Sequence, residues 1–263
     1  DTKFTMSKYS GNCQLLNYLP PENKMTLTGE KSVLIKGENR FVSPEFLINT
    51  KEEKLSSDKE ILSTIQLESD NSIFSKLPVY VSSKKIEIDD KSGSVVYSTN
   101  VSLFQGDTKL NAERVEIGKN KSIIVSGKAI LNFTNSEKGI SISGEEIKID
   151  PDKNFLYIKG KGVLGEGDNS LSGESLVVEF NDNKKISRVT GENKIEFKRK
   201  GVSGKSEKVI WMFNEKIITF ITNAQLIKAD SGSSKGDEIK FFIEDERVVI
   251  KSASGKRSET KID

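Results

Sequence analysis

The sequence predicts an all-β protein: a single elongated chain of about seven copies of a roughly 30-residue repeat, each folding into short antiparallel strands. Three observations carry this. A small residue recurs at Ser43, Ser83, Ala112, Gly144, Gly173, Ser206 and Gly236. Apolar residues follow it three and five positions later, with a solvent-type residue between them in most copies. Turn-forming clusters then separate each apolar run from the next.

The apolar pairs are Phe46/Ile48, Ile86/Ile88, Val115/Ile117, Ile147/Ile149, Leu176/Val178, Val209/Trp211 and Ile239/Phe241. Between them stand Leu47, Glu87, Glu116, Lys148, Val177, Ile210 and Lys240. This is the period of two expected of a strand with one buried face. Turns follow at 89–93, 118–120, 150–154, 181–183, 214–215 and 244–246, and a second run returns at Val95, Ile123, Leu156, Ile186, Ile218 and Val248, so each unit reads as a hairpin. A third short segment usually precedes the next anchor: Val101/Leu103, Ala129/Leu131/Phe133, Ile195/Phe197 and Ala224/Leu226. A lone hairpin buries too little to persist, so neighbouring units must pair and share one interior.

Anchors are 29 to 33 residues apart from Ser83 onward, but Ser43 and Ser83 are separated by 40. The sequence therefore divides into an N-terminal extension (1–24), one repetitive domain (25–251) with an irregular segment at 50–80, and a flexible tail (252–263).

Composition narrows the function. Hydrophobic residues make up 34% and charged residues 30%, and 41 Lys and Arg against 39 Asp and Glu give a net charge of +2 with the signs interspersed. No nucleic-acid partner is expected from such a balance. Histidine is absent and Cys13 is the sole cysteine, which excludes His-dependent triads, Cys-His pairs and an internal disulfide. No cofactor and no metal site is expected, and the chain reads as a non-enzyme. The longest apolar runs, such as Ile217–Ile221, are far shorter than the roughly 20 residues of a membrane-crossing helix. Gly160-Lys161-Gly162-Val163-Leu164-Gly165 matches a dinucleotide fingerprint, yet no helix follows it, so it reads as a glycine-rich bend. Asp150-Pro151-Asp152-Lys153-Asn154 opens like a calcium loop but has Phe155 where the glycine is required; it reads as a turn.

Ser98 to Glu113, which contains Val101-Ser102-Leu103-Phe104-Gln105-Gly106 followed by Leu110-Asn111-Ala112-Glu113, resembles the repeat of the OstA-like lipopolysaccharide-transport family. Ser126–Phe133 and the stretch from Leu27 to Ser43 are similar to the same unit, and the resemblance extends over roughly residues 27–250. It implies an antiparallel β-jellyroll, a folded-over sheet with an apolar inner groove for acyl chains. It also implies a periplasmic protein, exported with its leader or anchor removed, that bridges inner and outer membranes. The implied partners are lipopolysaccharide or a similar amphipathic lipid, membrane transport components joined by edge-strand addition, and further copies of the chain added head to tail.

On this reading the groove is lined by Ile86, Ile88, Val115, Ile117, Ile147, Ile149, Leu176, Val178, Phe180, Val209, Trp211, Phe213, Ile239 and Phe241. The alternative is a structural or adhesive β-solenoid in which the same residues form a filled core.

Overall fold

Strict alternation, β-branched residues and turn clusters leave the backbone one way to satisfy its hydrogen bonds while burying one face, which is pairing between strands. The computed structural model describes residues 2–6, 8–67, 77–133, 138–150, 153–230, 232–252 and 259–261. These contain twenty-one strands, a single short 3-10 turn at Pro20–Glu22, and antiparallel register in every described pairing. The chain divides into two compact units, Asp1–Leu131 with Asp150–Asp152, and Asn132–Ile149 with Lys153–Asp263.

The first unit begins with β1 (Thr2–Thr5), β2 (Ser10–Cys13) and β3 (Leu15–Leu19). The first 24 residues do not continue the repeat, but they do enter the sheet: β2 pairs with the second half of β4 (Lys24–Lys36) and β3 with its first half. Next come β5 (Asn39–Asn49), β6 (Lys54–Ser57), β7 (Ile61–Ile65), β8 (Val79–Ser83), β9 (Lys85–Asp89), β10 (Ser94–Gln105), β11 (Thr108–Ile117) and β12 (Ile123–Phe133). Their pairings trace two layers. One holds β3, the start of β4, the end of β5, β6, β9, the start of β10 and the end of β11. The other holds β2, the end of β4, the start of β5, β7, β8, the end of β10 and the start of β11. Each long strand thus passes from one layer to the other through a corner.

The second unit repeats this path with β13 (Ile140–Asp150), β14 (Phe155–Glu166), β15 (Asn169–Phe180), β16 (Ile186–Arg199), β17 (Val202–Met212), β18 (Ile217–Lys228), β19 (Gly232–Phe242), β20 (Val248–Lys251) and β21 (Glu259–Lys261). From β14 to β19 each strand is paired on both sides of its corner, with a register shift at the corner itself. β20 and β21 pair with the two halves of β19.

Corners explain both the anchors and the extra segments. In β10, β12, β14, β16 and β18 the corner is a pair of residues with positive φ: Thr99-Asn100, Gly127-Lys128, Gly160-Lys161, Asn193-Lys194 and Thr222-Asn223. This left-handed conformation re-aims the strand, and only glycine adopts it without steric cost. The second run and the third short segment expected from the sequence are therefore two arms of one strand, separated by the corner. The glycine-rich bend at Gly160-Lys161 is one of these corners. In the return strands the anchor residue itself sits at the corner, where the register shift makes inward positions three apart instead of two. The wide Ser43-to-Ser83 interval holds one strand broken at its corner into β6 and β7, and β8, the first arm of the next, whose second arm β9 follows Ser83; residues 68–76 lie outside those described, as do 253–258 and 262–263 of the tail.

Candidate functional site

Folding each strand over turns the inward faces of the two layers toward each other, and thirteen of the fourteen groove residues expected from the sequence fall on those faces. Ile86, Ile88, Val115 and Ile117 belong to the first unit and the other ten to the second. Thirteen are buried; Phe213, in the turn after β17, is partly exposed and stacks on Trp211 with ring centroids 4.3 Å apart. The intervening Glu87, Lys148 and Lys240 lie on outer faces, as the alternation requires.

In the second unit the layers meet through rings. Phe197, on the far arm of β16, lies 6.2 Å from Trp211, 6.1 Å from Phe220 and 6.2 Å from Phe241, all three on the opposite layer. Phe133 and Phe180 approach to 5.9 Å. Such tilted and edge-to-face pairs add to the burial of the rings themselves. Gly204 is required here because the Phe220 ring lies directly over it, leaving no room for a Cβ atom. The open side, opposite the corners, is crossed by hydrogen bonds from the Arg199 guanidinium to the Ile243 carbonyl and from Lys228 Nζ to the Glu246 carbonyl at 3.1 Å.

The first unit joins its layers differently. On its open side the Asp90 carboxylate, 3% exposed, accepts a hydrogen bond from the Tyr9 hydroxyl at 2.7 Å and pairs with the Lys36 ammonium. Burial, together with the neighbouring carboxylate, pushes the Tyr9 phenol pKa well up, so it stays a donor. Lys36 also sits over the Tyr9 ring, 5.8 Å from its centroid, and Lys8 pairs with Glu53. Along the corner side runs a set of buried serines, Ser32, Ser43, Ser57 and Ser83; Ser43 and Ser57 share a hydrogen bond of 2.8 Å. Sequence reasoning placed Asp90 in a turn and passed over Tyr9 and Lys36, because these groups are 81 and 54 residues apart in the chain from their partner.

Among the described residues no group of three His, Cys, Asp or Glu side chains comes together. Cys13 is buried, and burial raises its thiol pKa, which keeps it protonated and unreactive. No helix among the described residues is long and apolar enough to cross a membrane.

Comparison with known proteins places this arrangement. The chain matches the family model described as "LptA/(LptD N-terminal domain) LPS transport protein" at residues 80–184 and again at 141–247. No curated protein matches it. Among solved structures similar to it is LptH of Pseudomonas aeruginosa, described as the LptA homologous periplasmic component of the conserved lipopolysaccharide transport device. It is 16% identical, covers 48% of this chain and 96% of its own, and superposes with a TM-score of 0.44. The two family matches together take in well over half of the chain, including six of the seven anchored strand pairs in whole or in part, and the chain belongs to the LptA/(LptD N-terminal domain) family of LPS transport proteins.

Proposed function

We propose that the chain carries lipopolysaccharide, or a similar amphipathic lipid, with its acyl chains between the two layers, as part of a periplasmic bridge. The observation that supports this most is that both layers of each unit present inner faces made mainly of buried apolar residues, while polar links join the layers on the open side. Each CH₂ buried contributes about 0.8 kcal/mol, so several acyl chains together would not leave for water unaided. Successive strand pairs of similar character make neighbouring positions nearly equal in energy, which permits displacement along the stack when lipid is supplied from upstream. The layers must part to admit a chain, because Ile149, Val178 and Trp211 are buried without it.

Bridging requires joining other proteins. Among the described residues β3 of the first unit pairs along one edge with β4, and β20 of the second along one edge with β19, and the other edge of each can accept a strand from a membrane component or another copy. The second reading, a structural protein with a filled core, is favoured by the close burial of thirteen of the fourteen groove residues.

Photo-crosslinking distinguishes them. A photoreactive residue at Ile149 or Val178 captures lipid during transport, and one at Lys148 or Glu179 on the opposite face does not. Capture at neither pair supports the filled core, and equal capture at both removes the interior as the path.

A further inference from the structure

Inside the first unit, two hydroxyls have no hydrogen-bond partner in the protein although both are buried: the Tyr97 phenol and the Ser63 side chain. Tyr97 is on the inward face of β10, in register with Ile86 and Val115. Ser63 is on the inward face of β7, in the other layer, in register with Phe41 and Val81. The two face each other across the interior. The serine partly offsets the upward push that burial gives the phenol pKa, yet neither oxygen reaches bonding geometry. Unpaired polar atoms in an apolar interior are unfavourable and rarely occur without a role.

We propose that Tyr97 and Ser63 form a polar notch that receives a hydroxyl group carried on an acyl chain, which makes the first unit selective for hydroxylated chains. A hydroxyl both donates and accepts, so one such group set between the two layers can bond Tyr97 and Ser63 together, whereas an unsubstituted methylene can bond neither. Around the notch the walls are apolar: Phe41, Val81, Ile86 and Val115 are all buried, so the rest of the chain meets hydrocarbon on every side. The second unit has rings at its centre instead, in the cluster around Phe197. This inference rests on the proposed lipid-carrying interior and adds the chemistry of its cargo.

The test is competition against a fluorescent polyene fatty acid bound to the full chain. The competitors are hexadecanoic acid and a set of its monohydroxylated isomers that differ in which carbon bears the hydroxyl. The wild-type protein should bind at least one isomer about fivefold or more tightly than the parent acid, the effect of roughly one net hydrogen bond. In the double variant Ser63→Ala, Tyr97→Phe, chosen to preserve shape, that isomer and the parent should bind alike. If wild type shows no preference for any isomer, the notch holds only water and the inference falls while the carrier reading stands. A preference that survives in the double variant also overturns it. If hexadecanoic acid itself does not compete and the polyene does not bind, the carrier reading fails, and the notch with it.

Discussion

The two units use one strand plan and fill it in opposite ways. At its corners the first unit carries the hydroxyls of Ser32, Ser43, Ser57 and Ser83, with Tyr97 and Ser63 nearby in the interior, and closes its open side around the buried Asp90 carboxylate. The second has Gly144, Gly173 and Gly236 at most of its anchors, and its interior is crossed by Phe197, Trp211, Phe220 and Phe241. The difference follows from volume. Where a neighbouring side chain lies against the backbone, as Ile158, Ile195 and Ile250 do at Gly144, Gly173 and Gly236 and the Phe220 ring does at Gly204, there is no room for a Cβ; where that space is open, a serine fits and brings an oxygen with it. A repeat can thus keep its backbone path and still differ along its length in polarity and in how firmly its layers are held.

The largest effect that would test this contrast is expected from Phe197→Ala. It removes the ring shared by three partners on the opposite layer and should cost about 3–5 kcal/mol. Trp211, the sole tryptophan, reports the loss directly, and urea unfolding followed by its fluorescence should show a clearly lower midpoint. An unchanged midpoint would mean that the rings do not hold the second unit's layers together.

In the first unit the corresponding break is Lys36→Met. Asp90 keeps the Tyr9 hydroxyl but loses its cation; because Lys36 is 30% exposed, the expected cost is about 2–3 kcal/mol, somewhat below that of a fully buried pair. Hydrogen exchange should quicken in β2 and in the turn at 90–93 before it does so in β14–β19. Equal acceleration in both units would show that the link does not act locally.

Gly204→Ala sharpens the volume argument. The new methyl group meets the Phe220 ring, and overpacking of this kind costs about 1–3 kcal/mol. Ser43→Ala, at a corner of the first unit, removes one shared hydrogen bond and should cost about 1 kcal/mol. Thermal melts of the two variants should rank them in that order, and a reversal would remove close approach as the reason for glycine.

The smallest effect belongs to Tyr97→Phe. Deleting a hydroxyl that has no partner should leave stability within about 1 kcal/mol of wild type, with stabilisation the favoured sign. A loss of more than about 2 kcal/mol in denaturant unfolding would mean that the phenol is bonded in solution, and the notch would then be occupied without lipid.

Much of this architecture was legible in the chain. Ile147-Lys148-Ile149 and Leu176-Val177-Val178 assign an inward and an outward face without any coordinates, because a strand's side chains alternate strictly and burial selects one parity. Small anchors at near-constant spacing gave the repeat, and the string from Val101 to Glu113 gave the family. The lack of histidine and the single cysteine ruled out whole classes of chemistry by composition alone.

Other features depend on which residues the fold brings together. At Thr99-Asn100 the alternation merely pauses; that the strand continues through a corner into a second layer is visible only in its pairing on both sides. Phe197 reads as an ordinary apolar residue until Trp211, Phe220 and Phe241 are found facing it, and Tyr97 lies at an inward parity that does not reveal that its hydroxyl meets Ser63. Asp90 looks like a solvated turn residue, yet Tyr9 and Lys36 bury it. The physical reason is one of range. Alternation and turn chemistry act between residues a few positions apart and are written locally, whereas layer-to-layer packing, charge burial and unpaired hydroxyls arise between residues tens of positions apart, which only the folded chain brings into contact.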